Sequence, residues 1–145
     1  MAILEKQLQD KIDDLSNLAY DKFQNNKIDE SFKFLKEAWD LYPEPKNQWN
    51  EAYTSAKYLF EDYIRIGNPE NAKEWLNKMI DHNNQLHLFD GDITFNIGKY
   101  YFETSDYKSA LEKWQSVVSD TGLRYFENEK KEYLDFYNQP GNLIK

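Results

Sequence analysis

Apolar side chains recur every three to four residues along almost the whole chain, interrupted at a few short polar breaks. Residues 2–25 carry Ile3/Leu4, Leu8, Ile12, Leu15, Leu18/Ala19 and Phe23 on one stripe, closed by Asn25-Asn26. The spacing predicts a helix there, since residues three and four apart share one helical face. Asp29 to Leu41 repeats the pattern with Phe32, Leu35, Ala38 and Trp39. It stops at Tyr42-Pro43-Glu44-Pro45, because each proline restricts its predecessor and cannot extend a helix. A third helix is predicted from Gln48 to Ile66, bearing Trp49, Ala52/Tyr53, Ala56, Leu59/Phe60 and Tyr63/Ile64. Gly67 ends it, Asn68 is placed to cap a fourth helix from Glu70 to Asp81, and Pro69 suits that helix's first turn. The fourth stripe is Ala72, Trp75, Leu76, Met79 and Ile80.

A polar stretch, HNNQLHLFDGD, reads as a loop leading into residues 92–122. Those predict two further helices. The first shows Ile93, Ile97, Tyr101 and Phe102, and the second Ala110, Leu111, Trp114, Val117 and Val118, with Thr104-Ser105-Asp106 as turn and cap. Gly98 falls on the packing stripe, where the missing side chain lets a partner helix approach. A last helix is predicted from Glu127 to Tyr137 with Tyr133, Leu134, Phe136 and Tyr137. Seven helices and no alternating strand pattern give an all-α chain. A hairpin this small cannot bury its own apolar face, so it requires neighbours of the same kind.

Composition narrows the classes further. Among 145 residues, 17% are aromatic, far too many for a disordered chain. Cysteine is absent, which removes disulfides, thiolate metal sites and cysteine nucleophiles together. The start, MAILEKQLQDKIDDL, is charged from Glu5 onward and lacks the apolar core of a secretory signal. No run approaches the ~18 apolar residues of a membrane span, so a cytoplasmic location and no membrane contact are expected. The formal net charge is −8, spread along the chain with some excess in residues 1–45, which hold 6 basic and 10 acidic side chains. That charge disfavours nucleic acid and favours encounter with a basic partner, although it also serves solubility alone.

Candidate chemistry is sparse. His82 and His87 lie five apart with Asp90 and Asp92 nearby, a spacing that does not put both imidazoles on one helical face as a zinc site requires. Asp81-x-Asn83-x-Gln85 with Asp92 at position twelve mimics a calcium loop, but Leu86 stands where glycine is needed and the last ligand is Asp rather than Glu. A solvated polar loop is the expectation, with no metal and no cofactor. The carboxylate pairs Asp13/Asp14, Glu61/Asp62 and Glu127/Glu129 read as solvated faces. No nucleophile elbow, phosphate-cradling glycine loop or His-Glu-x-x-His occurs, so no enzyme is expected. A metal-dependent enzyme built around His82 and His87 is the reading from another class.

The helices also repeat. Matching runs SFKFLKEAW, AKEWLNKMI and ALEKWQSVV begin at Ser31, Ala72 and Ala110, 41 and 38 residues apart. In these runs the chain resembles the tetratricopeptide repeat (TPR) family, whose unit is about 34 residues on two helices. Ile97-Gly98 falls at the family's leucine-glycine pair, Tyr101 at its tyrosine, Ala110 at its first alanine and Trp114 at its second-helix aromatic. The second hairpin offers Leu59, Tyr63, Ala72, Leu76 and Met79, with Phe60 at the small position. The first offers Leu18, Ala19, Ser31, Leu35, Ala38 and Pro43, with Lys22 where an aromatic is usual. Leu15, Ala56 and Thr94 stand where the family has its early tryptophan. The resemblance implies a TPR-like α-solenoid in one domain, with repeats at about 12–45, 53–86 and 91–123 and a capping helix at about 125–138. A nonrepeating helical bundle is the competing fold.

Stacked hairpins of that family line a concave groove with their first helices. The groove positions map to Asp13, Ser16 and Tyr20, then Thr54, Lys57, Glu61 and Arg65, then Asp92, Phe95 and Lys99. This mixture of charges and aromatics suits a protein surface or an extended segment. Equally, Lys57, Glu61 and Arg65 could be ordinary spaced helix pairs. The clamp by which co-chaperone members grip a C-terminal carboxylate would fall at Ser16, Tyr20, Tyr58, Asp92 and Asn96, so that ligand is not expected. The ending RYFENEKKEYLDFYN after a third repeat is similar to small proteins encoded beside bacterial polymorphic-toxin genes, thought to act as immunity partners. This implies a cytoplasmic, non-catalytic inhibitor of a basic toxin domain. A TPR adaptor or chaperone-like scaffold that holds a peptide segment is the alternative.

Overall fold

The computed structural model describes residues 3–145, and among them every regular element is helical. Seven α-helices follow in order: α1 (Lys6–Gln24), α2 (Ile28–Asp40), α3 (Asn50–Arg65), α4 (Pro69–Leu86), α5 (Asp90–Glu103), α6 (Tyr107–Thr121) and α7 (Lys131–Asn138). Single 3-10 turns occupy Lys46–Gln48, Arg124–Phe126 and Pro140–Asn142. No helix among the described residues is long and apolar enough to cross a membrane. The chain forms two compact units, one ending at Leu88 and one running Phe89–Lys145.

The helical hairpins α1/α2, α3/α4 and α5/α6 turn in the same way. Asn26, Gly67 and Ser105 adopt left-handed backbone with φ of 63°, 75° and 66°. Directly after each, the amide of Lys27, Asn68 or Asp106 donates to the carbonyl of Lys22, Tyr63 or Tyr101 at 2.8, 2.9 and 2.8 Å. The left-handed residue's own amide reaches back to Phe23, Ile64 or Phe102. That pair of bonds is the Schellman closure, which satisfies carbonyls left open at a helix end. The next helix then begins. The Asn68 side chain accepts from the Asn71 amide at 3.2 Å, and that of Asp106 from the Ser109 amide at 3.3 Å. Four residues beyond each turn's close stand Ser31, Ala72 and Ala110, all 0% exposed. Small residues at these places let the paired helices approach closely.

In the first unit α2 packs on α1 and α3, and α4 covers α3. Ser31 is polar yet fully buried because its hydroxyl donates to the Ala19 carbonyl of α1 at 2.7 Å. Ser31→Ala removes that bond and should lower stability by about 1 kcal/mol, read as a shifted urea midpoint; an unchanged midpoint would show that the bond contributes nothing net. Phe32 stacks on Tyr63 with centroids 4.1 Å apart, and Trp39 meets Trp75 edge to face at 5.5 Å. Tyr42 shares a buried 3.0 Å hydrogen bond with Ser55, and burial pushes its phenol up to about 12. Leu18, expected on the α1 stripe, is 39% exposed.

The second unit is organised around Trp114, fully buried among Phe95, Phe126, Tyr133 and Phe136. Its indole donates to the Phe95 carbonyl at 3.0 Å. Gly98 makes this possible: a β-carbon there would lie 2.6 Å from the indole Cδ1. α7 contributes Tyr133 and Phe136 to the same cluster.

Two expected boundaries differ. The stretch read as a polar loop from His82 is helix through Leu86, because His82 and Asn83 are buried and continue the inward stripe of Trp75, Leu76 and Met79. The last helix starts at Lys131 rather than Glu127, after the Arg124–Phe126 turn that seats Phe126 in the core. Of the first helix as expected, Ala2 lies outside the described residues.

Candidate functional site

α1 and α3 enclose a groove of about 490 Å³ in the first unit. Its α1 wall is Ser16, Asn17, Tyr20, Phe23 and Gln24, and Leu35 of α2 contributes to it. The α3 wall is Tyr58, Glu61, Asp62 and Arg65. The spacing of 58, 61, 62 and 65 explains this wall, since those positions share one helical face. The Ser16 hydroxyl folds back along α1, donating to the Ile12 carbonyl at 2.9 Å. Tyr20 and Tyr58 are held out, 65% and 44% exposed, although a phenol ring loses much by standing in water.

Charges of both signs meet in the groove. Arg65 reaches Asp62 at 2.6 Å and Glu61 at 4.0 Å. Both acids are largely withdrawn from water, with side chains 14% and 17% exposed. Burial holds the Asp62 carboxyl above its ordinary range, opposed by the hydrogen bond and charge of Arg65.

Four of the ten positions assigned to a partner-binding surface therefore meet here: Ser16, Tyr20, Glu61 and Arg65. Asp13 and Thr54 are exposed and Lys57 is half-buried, but none of the three lines the groove. The remaining three belong to the second unit. Asp92 is half-buried and accepts from the Asn96 side-chain amide at 3.1 Å. Phe95 and Lys99 are corrected from surface to interior, at 2% and 3% exposure. Phe95 stacks on Trp114 and Tyr125, and the Lys99 ammonium meets Glu129 at 3.0 Å. Repeat position alone carried those two outward; the inward cue was the aromatic crowd around Trp114, which needs a face of α5 to close on.

Sequence reading passed over Tyr58 and Asp62 as partner-binding positions, although the run Tyr58, Glu61, Asp62, Arg65 is visible as an i, i+3, i+4, i+7 stripe of polar and aromatic side chains. The carboxylate pairs also sort themselves. Asp13 and Asp14 are exposed as expected, whereas Glu61 and Asp62 are half-buried and Glu129 is drawn in to Lys99.

His82 is likewise corrected from loop to core. It is 1% exposed on α4, its ring 5.7 Å from Tyr53, and its Nε2 lies 2.6 Å from the Trp49 carbonyl. The neutral ring with hydrogen on Nε2 donates that bond. Burial lowers the pKa of His82 from the ordinary 6.5, while the Trp49 bond, Asp81 and Glu51 oppose the shift. Here the unfolded chain takes up the proton more readily than the folded one, so stability is full above pH 6.5 and falls as pH drops below it. Urea midpoints between pH 7.5 and 5 should decline in the wild type and decline less in His82→Gln; parallel curves would show that His82 is not the titrating group.

No family model matches the chain, and no curated protein and no solved structure matches it.

Proposed function

We propose that the chain is a non-catalytic protein-binding module of TPR-like helical hairpins, acting as a small acidic inhibitor of the immunity type against a bacterial toxin domain. One observation carries the reading: the α1/α3 groove holds two tyrosines in solvent beside partly buried charge. Exposed tyrosine and arginine are the residues that protein interfaces concentrate and that dominate their energetics. A net charge of −8 supports fast encounter with a basic domain. Affinity capture with the full chain, compared with the Tyr58→Ala, Glu61→Ala, Arg65→Ala triple variant on the groove's α3 wall, tests the site. Loss of a specific protein on the variant supports it, and undiminished capture removes the function from this groove. If charge steers the encounter, the association rate should also fall several-fold between low and physiological salt.

The groove equally admits the adaptor reading, since the Asn17 and Gln24 amides on its wall suit an extended backbone. A captured partner that still binds after reduction to one short segment would favour the adaptor; a requirement for its folded domain favours the inhibitor.

A further inference from the structure

We infer that the cleft between α1 and α2 docks a basic amphipathic helix of a partner protein. The cleft has a volume of about 560 Å³. Lys11, Asp14 and Leu15 line it from α1, and Glu37, Asp40 and Leu41 from the end of α2. Each trio stands at i, i+3 and i+4, which puts its members on one helical face. Tyr20 and Gln24 of the α1/α3 groove fall on the far side of α1 by the same spacing. The two surfaces are therefore separate, and this one does not depend on the groove.

The apolar part of the surface is left unfinished. Leu15 and Leu41 pack against the core cluster around Ile12, Ala38 and Tyr42, yet both are only half-buried. Leu18 continues the face of Leu15 one turn on and is 39% exposed, and half-buried Phe34 stands seven residues before Leu41 on α2. A partly wet apolar stripe between two helices is the kind of groove that takes the apolar face of a third. Charge selects which helix. Asp14, Glu37 and Asp40 are exposed, and their carboxylates form no ion pair or hydrogen bond among the described residues. Lys11 is the one cation lining the cleft, so three acids stand against one base. An acidic helix would add like charge to this rim, and an uncharged one would cover carboxylates without giving them partners. Lysine and arginine beside the apolar face avoid both faults, with their stems lying along the leucines.

The test is an NMR titration of the isotope-labelled full chain with an acetylated peptide amide built of leucine and lysine alone. Its leucines are spaced to line one helical face and its lysines the other. Two control peptides carry glutamate at every lysine or glutamine at every leucine. The first peptide should shift the resonances of Asp14, Leu15, Leu18, Glu37, Asp40 and Leu41 saturably, and neither control should. Asp14→Lys combined with Asp40→Lys should weaken the binding about tenfold, and Lys11→Glu should tighten it about threefold. All three side chains are exposed, so these variants keep the fold, and a gain of affinity cannot come from unfolding. Equal shifts from either control, shifts spread over the whole acidic surface, or unaltered affinity in Lys11→Glu would overturn the inference. If the peptide fails to bind while the triple alanine variant still loses its captured protein, this inference falls and the protein-binding groove stands. If the peptide binds here but capture survives the triple variant, the α1/α2 cleft stands and the groove's proposed role does not.

Discussion

Changing Trp114 to alanine should lower folding free energy by about 3–5 kcal/mol, the cost of emptying a large aromatic site in a close-packed core. Trp114 is 0% exposed and touches the rings of Phe95, Phe102, Phe126, Tyr133 and Phe136. Its loss also removes the donor to the Phe95 carbonyl. Gly98 is the other half of this arrangement. Gly98→Ala places a methyl group 2.6 Å from Cδ1 and 3.0 Å from Cε2 of the indole, and the ring has no empty side to move into. Overpacking of this kind costs about 1–3 kcal/mol. With Trp114 already alanine, the same change should turn neutral or favourable, because alanine suits a helix interior better than glycine by about 0.5–1 kcal/mol. A double-mutant cycle by circular dichroism in urea measures this coupling directly. Additive effects would mean that the indole does not press on α5 at Gly98.

Glu129→Gln should cost about 3 kcal/mol, since it strips the carboxylate from an ammonium buried at 3% exposure. The Lys99–Glu129 pair ties α5 to the segment just before α7. A parallel network does the same, with the Tyr133 hydroxyl donating to Glu103 at 2.8 Å and Lys130 meeting Glu103 at 2.6 Å. Burial first, and then the hydrogen bond to Glu103 and the nearby acids, push the Tyr133 phenol far up, so it stays a donor at any ordinary pH. Replacing both members, as Lys99→Met with Glu129→Leu, should recover most of the loss, because a matched apolar pair avoids the desolvation of two ions. The loss in Glu129→Gln should persist in high salt, where an exposed pair would be screened. A variant as stable as the wild type would show that Lys99 is held mainly by its other neighbours.

The helices and their turns were legible because both arise from local rules. The stripe Ala72, Trp75, Leu76, Met79 announces a helix by its own spacing, and Asn68-Pro69 or Thr104-Ser105-Asp106 announces its beginning by cap chemistry. Gly98 was legible for a related reason, as a gap on an otherwise apolar face. What escaped was burial of polar residues. His82, Asn83 and Lys99 read as solvent-facing because polarity is the usual sign of a surface, yet each is within 5% of full burial. His82 and Lys99 are admitted by partners far along the chain, the Trp49 carbonyl 33 residues before His82 and Glu129 30 residues after Lys99. Spacing over a few residues carries no trace of such a partner. The candidate site divided along the same line. Ser16, Tyr20, Glu61 and Arg65 line one groove, while Phe95 is drawn into an aromatic cluster assembled from three helices.

The three matching turns have a kinetic consequence. Each joins helices whose mutual bonds cross few intervening residues, such as Ser31 to Ala19 over 12 and Trp114 to Phe95 over 19. Loop closure over such short spans is a small entropic barrier, so every hairpin can zip from its own turn without waiting for the rest. Docking of α7 comes from farther away, over 30 residues between Tyr133 and Glu103. Refolding should accordingly be rapid, as in other chains dominated by near-neighbour pairing. The Glu103–Tyr133 tie should close late, so its removal should hasten unfolding and leave the refolding rate nearly untouched.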